Sequence, residues 1–265
     1  MSLEPNIAAI GAGSSDAATL LGLDRLAGRT PADEGAAFEA RLRARRATEV
    51  SMPSSVFALR FQIYCLESKF LSPEDHPGGL ERDEHDATSA HFCELDSTQE
   101  PVGYVRLVLP DGADRFPFQQ HCDRLDPGVH LPDPGESAEI SRLMVHSMYR
   151  RRRTDSLPGL VTDTDPAPLT GERRSNSPQV LLSLYRQMYA FSVAHGIRYW
   201  YAAMERTLAR SLRQLQFNFR RLGPEVDYFG PVAPYVADLR ELEKQLATAH
   251  PALFAWLTRP VAPFQ

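Results

Sequence analysis

The amino-acid order predicts an α+β fold: a mixed, mostly antiparallel sheet containing one parallel pair of strands, with flanking helices. Three observations predict it. A strand and a helix open the folded part of the chain. Two short β-prone runs, residues 91–95 and 102–109, then follow at hairpin spacing. An amphipathic helix stands between two further strands, residues 139–145 and 197–204, and parallel neighbours need such a crossover. A doubly wound sheet would alternate strand and helix throughout, so this order disfavours it.

The elements follow from local pattern. Residues 1–34 hold one weak apolar stretch among Gly, Ser and Ala and read as a flexible N-terminal extension; residues 35–265 read as a single domain. From Phe38 the chain alternates, with Phe38, Ala40, Leu42 and Ala44 on one face and Glu39, Arg41, Arg43 and Arg45 on the other. That is the period of a half-buried strand, although the Ala and Arg content also suits a helix. Pro53 opens a helix whose Phe57, Phe61 and Tyr64 share a face and which ends near Leu66; residues 72–79, with two prolines and two glycines, are loop. Residues 96–100 are the polar tip of the hairpin. Residues 150–177 are dense in Arg, Asp, Pro, Thr and Gly and read as a mobile insertion. Ser177-Pro178 supplies a cap and an N1 proline for the next helix, whose Val180, Leu184, Met188 and Phe191 form one stripe until Gly196 ends it. Leu208, Leu212 and Leu215 mark another helix, with Arg206, Arg210 and Arg213 on its wetter side. Extended pieces at 217–219 and 235–239 close the sheet, and apolar residues from Leu239 to Leu257 suggest C-terminal helices broken by Pro251.

Composition excludes several classes. The 265 residues are 43% hydrophobic and 24% charged, ordinary for a soluble globular protein. A net charge of -5 argues against a dedicated nucleic-acid binder. Cys65, Cys93 and Cys122 lack CxxC spacing and cannot all pair, which fits a reducing, cytoplasmic compartment. The N-terminus has no basic region and no apolar run reaches ~18 residues, so neither a signal peptide nor a membrane span is expected. His91, Cys93, His121 and Cys122 give no four-ligand zinc spacing, and no metal site is expected.

Two short runs carry the chemistry. The first sets Glu81, Asp83 and Asp86 within six residues; the second embeds Glu139 and Arg142 in a segment that otherwise reads as a buried strand. Buried charge is costly unless paired, and groups held this way cluster at functional sites. Two readings stand for the acidic triplet: a solvated loop, or an ion-pair network with Arg60, Arg106 and Arg142, whose guanidiniums suit bidentate geometry. Glu139 is either a structural partner of Arg142 or Arg106, or a general base. Burial would raise its pKa and nearby arginines would lower it.

The runs Arg60-Phe61-Gln62-Ile63-Tyr64, Glu81-x-Asp83-x-x-Asp86, Gly103-Tyr104-Val105-Arg106-Leu107 and Glu139-Ile140-Ser141-Arg142 resemble, in order and spacing, the signatures of acyl-homoserine lactone synthases. Tyr64-Cys65-Leu66-Glu67, Arg150 to Arg153, Met204-Glu205-Arg206 and the run from Leu222 to Gly230 resemble PEP-CTERM/exosortase system-associated acyltransferases, relatives of those enzymes and of N-acyl amino acid synthases. Tyr64 stands where the lactone synthases usually have Phe, and Phe70 near their usual Trp. The resemblance implies a GNAT-like fold with a splayed parallel pair, an acyl thioester donor and an amine acceptor, an amino acid or related signal precursor. It implies Glu139, Arg142 and Arg106 as catalytic residues and Arg60, Tyr64, Phe70, Glu81, Asp83, Asp86 and Ser141 on the acceptor side. Leu143, Met144 and Val145 would meet the donor's pantetheine arm. The glycine-rich pyrophosphate loop of GNAT enzymes is missing, which favours acyl carrier protein over coenzyme A. Arg150, Arg151, Arg152 and Arg153 would meet the carrier's acidic surface, or form a solvated loop. No tightly bound cofactor is expected.

Overall fold

The computed structural model describes residues 43–47, 52–110, 115–146, 177–214, 216–228 and 230–259. The elements are β1 (Arg43–Ala47), α1 (Ser54–Phe61), a π-helical turn (Gln62–Glu67), β2 (Ser89–Leu95), β3 (Pro101–Val108), a short α2 (Phe118–His121) and β4 (Ser137–Val145). They continue as α3 (Ser177–Ala194), β5 (Tyr199–Met204), α4 (Arg206–Gln214), β6 (Arg220–Arg221), β7 (Val226–Asp227), β8 (Pro231–Asp238), α5 (Leu239–Ala249) and α6 (Pro251–Thr258). The sheet order is β1-β2-β3-β4-β5-β8-β6, with β7 also on β8. β4 and β5 run parallel, and every other pairing described is antiparallel. This is the predicted α+β architecture.

Two faces of the sheet have different characters. On one, Phe92, Val105, Leu107, Ile140 and Trp200 pack against the Val180, Leu184 and Met188 stripe of α3, forming the main core. Gly103 lets α3 approach, since a Cβ there would strike Val180. Glu94, buried on this face, accepts from Gln187 Nε2 at 2.5 Å and from Ser183 Oγ, both on α3. On the other face, Cys93, Tyr104 and Met144 meet α1 and the π-turn through Phe57, Ile63 and Tyr64. Phe116 and Phe118 cover Tyr201 there, with ring centroids 5.2 and 4.9 Å apart.

Several elements differ from the sequence reading. The first strand begins at Arg43, and the alternation from Phe38 to Leu42 lies outside the described residues. The first helix does end near Leu66, but its last turn, Gln62–Glu67, is π-helical rather than α-helical. The closing strand is β8, eight residues long, not a short piece at 235–239, and residues 217–219 precede β6 instead of pairing. Pro231 and Pro234 both lie in this strand, although proline lacks the N–H that a ladder uses. They are tolerated because β6 and β7 cover β8 only in part, and the Pro234 carbonyl still accepts the Leu222 N–H at 2.8 Å. Residues 1–34 and the 150–177 segment up to Asn176 lie outside the described residues.

Candidate functional site: a buried ion network beside a parted strand pair

The alternation of β4 predicts that Ser141 and Arg142 face opposite sides of the sheet. They do not. Ala138 and Ile140 face the α3 core, and so do Leu143 and Val145, which means that the parity flips between them. The cause is a bulge: Tyr104 pairs with Met144 while Arg106 pairs with Ser141, and Arg142 takes φ +55°. A left-handed conformation costs a non-glycine residue free energy and is kept where surrounding contacts over-determine it. Here it turns Arg142 away from the apolar core and onto the face carrying Arg106.

Three arginines and three acids converge there. Arg106 holds Asp83 through both terminal nitrogens, Nη1 to Oδ1 at 2.5 Å and Nη2 to Oδ2 at 2.6 Å. Arg106 Nη1 also reaches Asp86 Oδ1 at 2.5 Å, and Arg60 Nη1 meets the same oxygen at 2.6 Å. Arg60 Nε donates to Glu81, and Arg142 Nη2 donates to Glu81 Oε1 and Asp83 Oδ2, both at 2.9 Å. All six side chains are within 2% of full burial. The acidic triplet is therefore a network and not a solvated loop.

Every charge in it is matched. Burial alone would raise the carboxyls of Glu81, Asp83 and Asp86, but the guanidiniums outweigh it, holding Glu81 and Asp83 well below the usual range and lowering Asp86 too. Burial likewise opposes the charge on Arg60, Arg106 and Arg142, and the carboxylates reverse that effect. The loop is tied down further by its own backbone. The Asp83 N–H donates to Asp86 Oδ2 at 2.9 Å, the Glu81 N–H reaches the Phe57 carbonyl on α1, and Arg82 lies over the Phe57 ring.

His91 and Tyr104 belong to the network and were not predicted to. His91 Nε2 must carry the proton it gives to the Asp86 carbonyl at 2.8 Å, so Nδ1 accepts from the Tyr104 hydroxyl at 2.7 Å. Burial lowers the His91 pKa and favours this neutral form. His91 pairs across from Arg106, and Tyr104 stands two residues before Arg106 on the same face, a register that the sequence pattern does not record.

Glu139 stands apart from the six. No ion pair joins it to Arg106 or Arg142 among the described residues; its Oε2 accepts the Phe118 N–H at 2.8 Å. Burial pushes its carboxyl up to about 8, against the lowering pull of that hydrogen bond and of the more distant Arg106 and Arg142. It faces Tyr201 on the last paired rung between β4 and β5, whose ladder runs from Ser137–Tyr199 to Glu139–Tyr201. Beyond that rung β4 continues to Val145 and β5 to Met204 without pairing, so the two strands part. Leu143, Met144 and Val145 lie along the parted stretch. The Phe116–Phe118 cover was not legible beforehand, because residues 110–136 show no period.

The other expected residues are placed as follows. Ser141 Oγ accepts from Arg106 Nε at 3.4 Å. Tyr64 is fully buried, with the Arg142 guanidinium 5.2 Å from its ring centre. Phe70 is half-buried against the α1 cluster, and its N–H donates to the Tyr64 carbonyl at 2.8 Å. Arg150 to Arg153 lie outside the described residues. A different, predominantly basic surface is described: a concavity of about 1200 Å³ along α4, lined by Arg206, Arg210, Arg213, Arg220 and Arg221 with Tyr199, Phe219 and Tyr235, and with Asp238 and Glu241 as its acidic members. All five arginines are exposed. Among the described residues no group of His, Cys, Asp and Glu could hold a metal ion, and no helix is long and apolar enough to cross a membrane.

The parting parallel pair, the crossover helix α3 and the antiparallel strands on either side define a GNAT-like fold. Comparison with known proteins agrees. The family model described as Acetyltransferase (GNAT) domain matches residues 59–158, a stretch that includes β2, β3 and β4. Among solved structures, the acyl-homoserine lactone synthase LasI is 15% identical, covers 78% of this chain and 93% of its own, and superposes with a TM-score of 0.54. BjaI, a CoA-dependent acyl-homoserine lactone synthase solved with SAM and isopentyl-CoA, is 16% identical over 82% of this chain and 98% of its own, with a TM-score of 0.54. TofI, in a ternary complex with an inhibitor and MTA, is 18% identical over 80% of this chain and 99% of its own, with a TM-score of 0.51. No curated protein sequence matches the chain.

Proposed function

We propose that the protein is an N-acyltransferase that moves a fatty acyl group from a thioester to an amine, the amine of an amino acid or a related signal precursor. The observation that carries this reading is Glu139: a buried carboxyl with a pKa near 8, on the last rung before two parallel strands part. The thioester arm would enter the gap between β4 and β5, with an amide N–H of the stretch from Leu143 to Val145 donating to the thioester oxygen. A donor aimed at the tetrahedral oxyanion is worth ~3 kcal/mol, and holding both reactants together contributes at least as much. The amine nitrogen attacks the carbonyl carbon, its proton passes to Glu139, the C–S bond breaks, and Glu139 returns that proton to the departing sulfur, which leaves as the thiol. The six-membered network holds β3, β4 and the 81–86 loop in register around this reaction.

The favoured donor is an acyl carrier protein. α4 begins two residues after β5 ends, at the end where the strands part, so Arg206 stands beside the mouth of the gap and the basic groove leads away from it. Five exposed arginines on an acidic protein suit a partner with a run of carboxylates better than one nucleotide, because Arg206, Arg210 and Arg213 spread over ~10 Å of helix. The C-terminal motifs from Leu222 to Gly230 support a place beside the exosortase-associated acyltransferases. The test is product mass spectrometry after incubation with acyl-CoA, acyl carrier protein thioesters and a mixed set of amines. An amide supports the proposal. Acyl-homoserine lactone would make the protein a lactone synthase, free fatty acid a thioesterase, and no product an acyl-carrier-binding module.

A further inference from the structure

The ion network satisfies nearly every polar atom it contains, and the exceptions point to one place. The Tyr64 hydroxyl has no hydrogen-bond partner among the described residues, and neither does Arg60 Nη2, although both atoms are buried. The nearest ion-pair approach of that nitrogen is Asp83 Oδ2 at 3.9 Å, too long for a hydrogen bond. Arg60 and Tyr64 stand four residues apart, on one face where α1 passes into the π-turn, a distortion often found at functional sites. Leaving a buried donor unsatisfied costs free energy comparable to a lost hydrogen bond. Two such donors, one turn apart on the same helical stretch, are explained by a ligand atom that accepts from both.

We infer that Tyr64 Oη and Arg60 Nη2 together hold a neutral carbonyl oxygen of the acceptor, so that the acceptor is an amino acid derivative such as an amide or ester rather than a free amino acid. The inference rests on the acyltransferase reading and deepens it. The charge count gives the preference for a neutral group. Arg60, Arg106 and Arg142 carry three positive charges, Glu81, Asp83 and Asp86 three negative ones, and all six are buried. A seventh charged group, the acceptor's carboxylate, would enter a site already balanced and lie against Glu81 and Asp83 without a cation of its own. A carbonyl oxygen accepts the same two hydrogen bonds without that penalty. The hydroxyl is held as a donor, since burial outweighs the surrounding arginines and raises its pKa to about 12.

Tyr64→Phe tests this in the full-length protein with two readouts. The first is thermal stabilisation by acceptors alone, comparing L-amino acid amides and methyl esters with the corresponding free acids and no acyl donor present. The wild type is expected to be stabilised by amides or esters at concentrations at least ~10-fold below those needed for free acids. The variant should lose that preference, while its own Tm stays equal or rises, because the removed hydroxyl had no partner. The second readout is transfer: KM for the amide acceptor should rise ~10-fold or more, with KM for the donor unchanged. An unaltered acceptor KM in the variant, or tighter binding of free acids by the wild type, overturns the inference while leaving acyl transfer standing. A fall in Tm with unchanged acceptor binding also overturns it, since that marks an internal water as the missing partner. Acceptor stabilisation lost in the variant, without transfer by the wild type, keeps the inference and removes the acyltransferase reading. No stabilisation of the wild type by any acceptor refutes it.

Discussion

Two groups of arginines divide the molecule. Arg60, Arg106 and Arg142 are buried, each against carboxylates at 2.5–2.9 Å, and their charges cancel inside the fold. Arg206, Arg210, Arg213 and Arg220 are exposed around one groove, and none has an ion-pair partner among the described residues. The same residue type serves opposite ends. A desolvated guanidinium fixes geometry, because moving it would strand a buried carboxylate. An exposed guanidinium contributes little to stability and presents its charge to a partner. Mutations in the first group should therefore change folding, and mutations in the second should change binding.

Breaking the buried group should have the largest effect. Asp83→Asn or Arg106→Met leaves an uncompensated charge and should each cost ~3–5 kcal/mol of stability, measured by denaturant unfolding. The double variant should be less damaged than the sum, with a coupling of ~0.5–3 kcal/mol. Strict additivity would mean that the two side chains do not share a desolvated pair.

Glu139→Gln comes next. It should lower turnover ~100-fold or more with donor affinity nearly unchanged, which single-turnover kinetics with separate donor titration would resolve. Wild-type turnover in this variant would remove Glu139 from the chemistry.

Charge reversal in the groove, Arg210→Glu with Arg213→Glu, should lower acyl carrier protein affinity ~10-fold or more and flatten its salt dependence, while unfolding shifts by less than ~0.5 kcal/mol per site. Salt-independent carrier binding in the wild type would show that the groove is not the docking surface.

Titration separates the two sets of carboxyls by sign. Glu81, Asp83 and Asp86 have depressed pKa values, so their stabilisation is present above the ordinary carboxylate range and is lost as pH falls through the depressed values. Glu139 acts with the opposite sign. Its folded value near 8 lies above the ordinary 4.5, so folding holds an extra proton between these values and stability declines as pH rises through that window. Glu139→Gln should therefore gain in stability relative to wild type between pH 5 and 9, as followed by thermal unfolding. A constant difference would mean that the Glu139 carboxyl is not perturbed.

The sequence was informative where one periodicity or one costly charge decided the structure. The α3 stripe from Val180 to Phe191 and the alternating hairpin strands were legible because burial on one face imposes a period. Arg60, Arg106 and Arg142 were legible as needing partners because each interrupts an apolar run, whereas Glu81, Asp83 and Asp86, in a charged run, could be read as their partners or as a solvated loop. The bulge at Arg142 was not. Ser141 and Arg142 are both polar, so nothing in the pattern records that they share a face, and φ +55° is set by the tertiary ion pairs. Tyr104 and His91 were hidden because their roles depend on cross-strand register, which pairing and not composition determines. The groove arginines were seen as wet, but their convergence with Arg220 and Arg221 depends on β6 pairing with the long β8 strand, which the sequence pattern had shortened to residues 235–239.

The rate of amide formation against pH, in wild type and in Glu139→Gln with the same acceptor amine, tests most directly whether Glu139 takes the proton. With Glu139 as base, wild-type turnover should climb as pH rises through about 8, in addition to the dependence set by the amine's own ionisation. The variant should keep only the shallower dependence set by the amine's own ionisation. Parallel profiles for the two proteins, at equal rates, would contradict the mechanism.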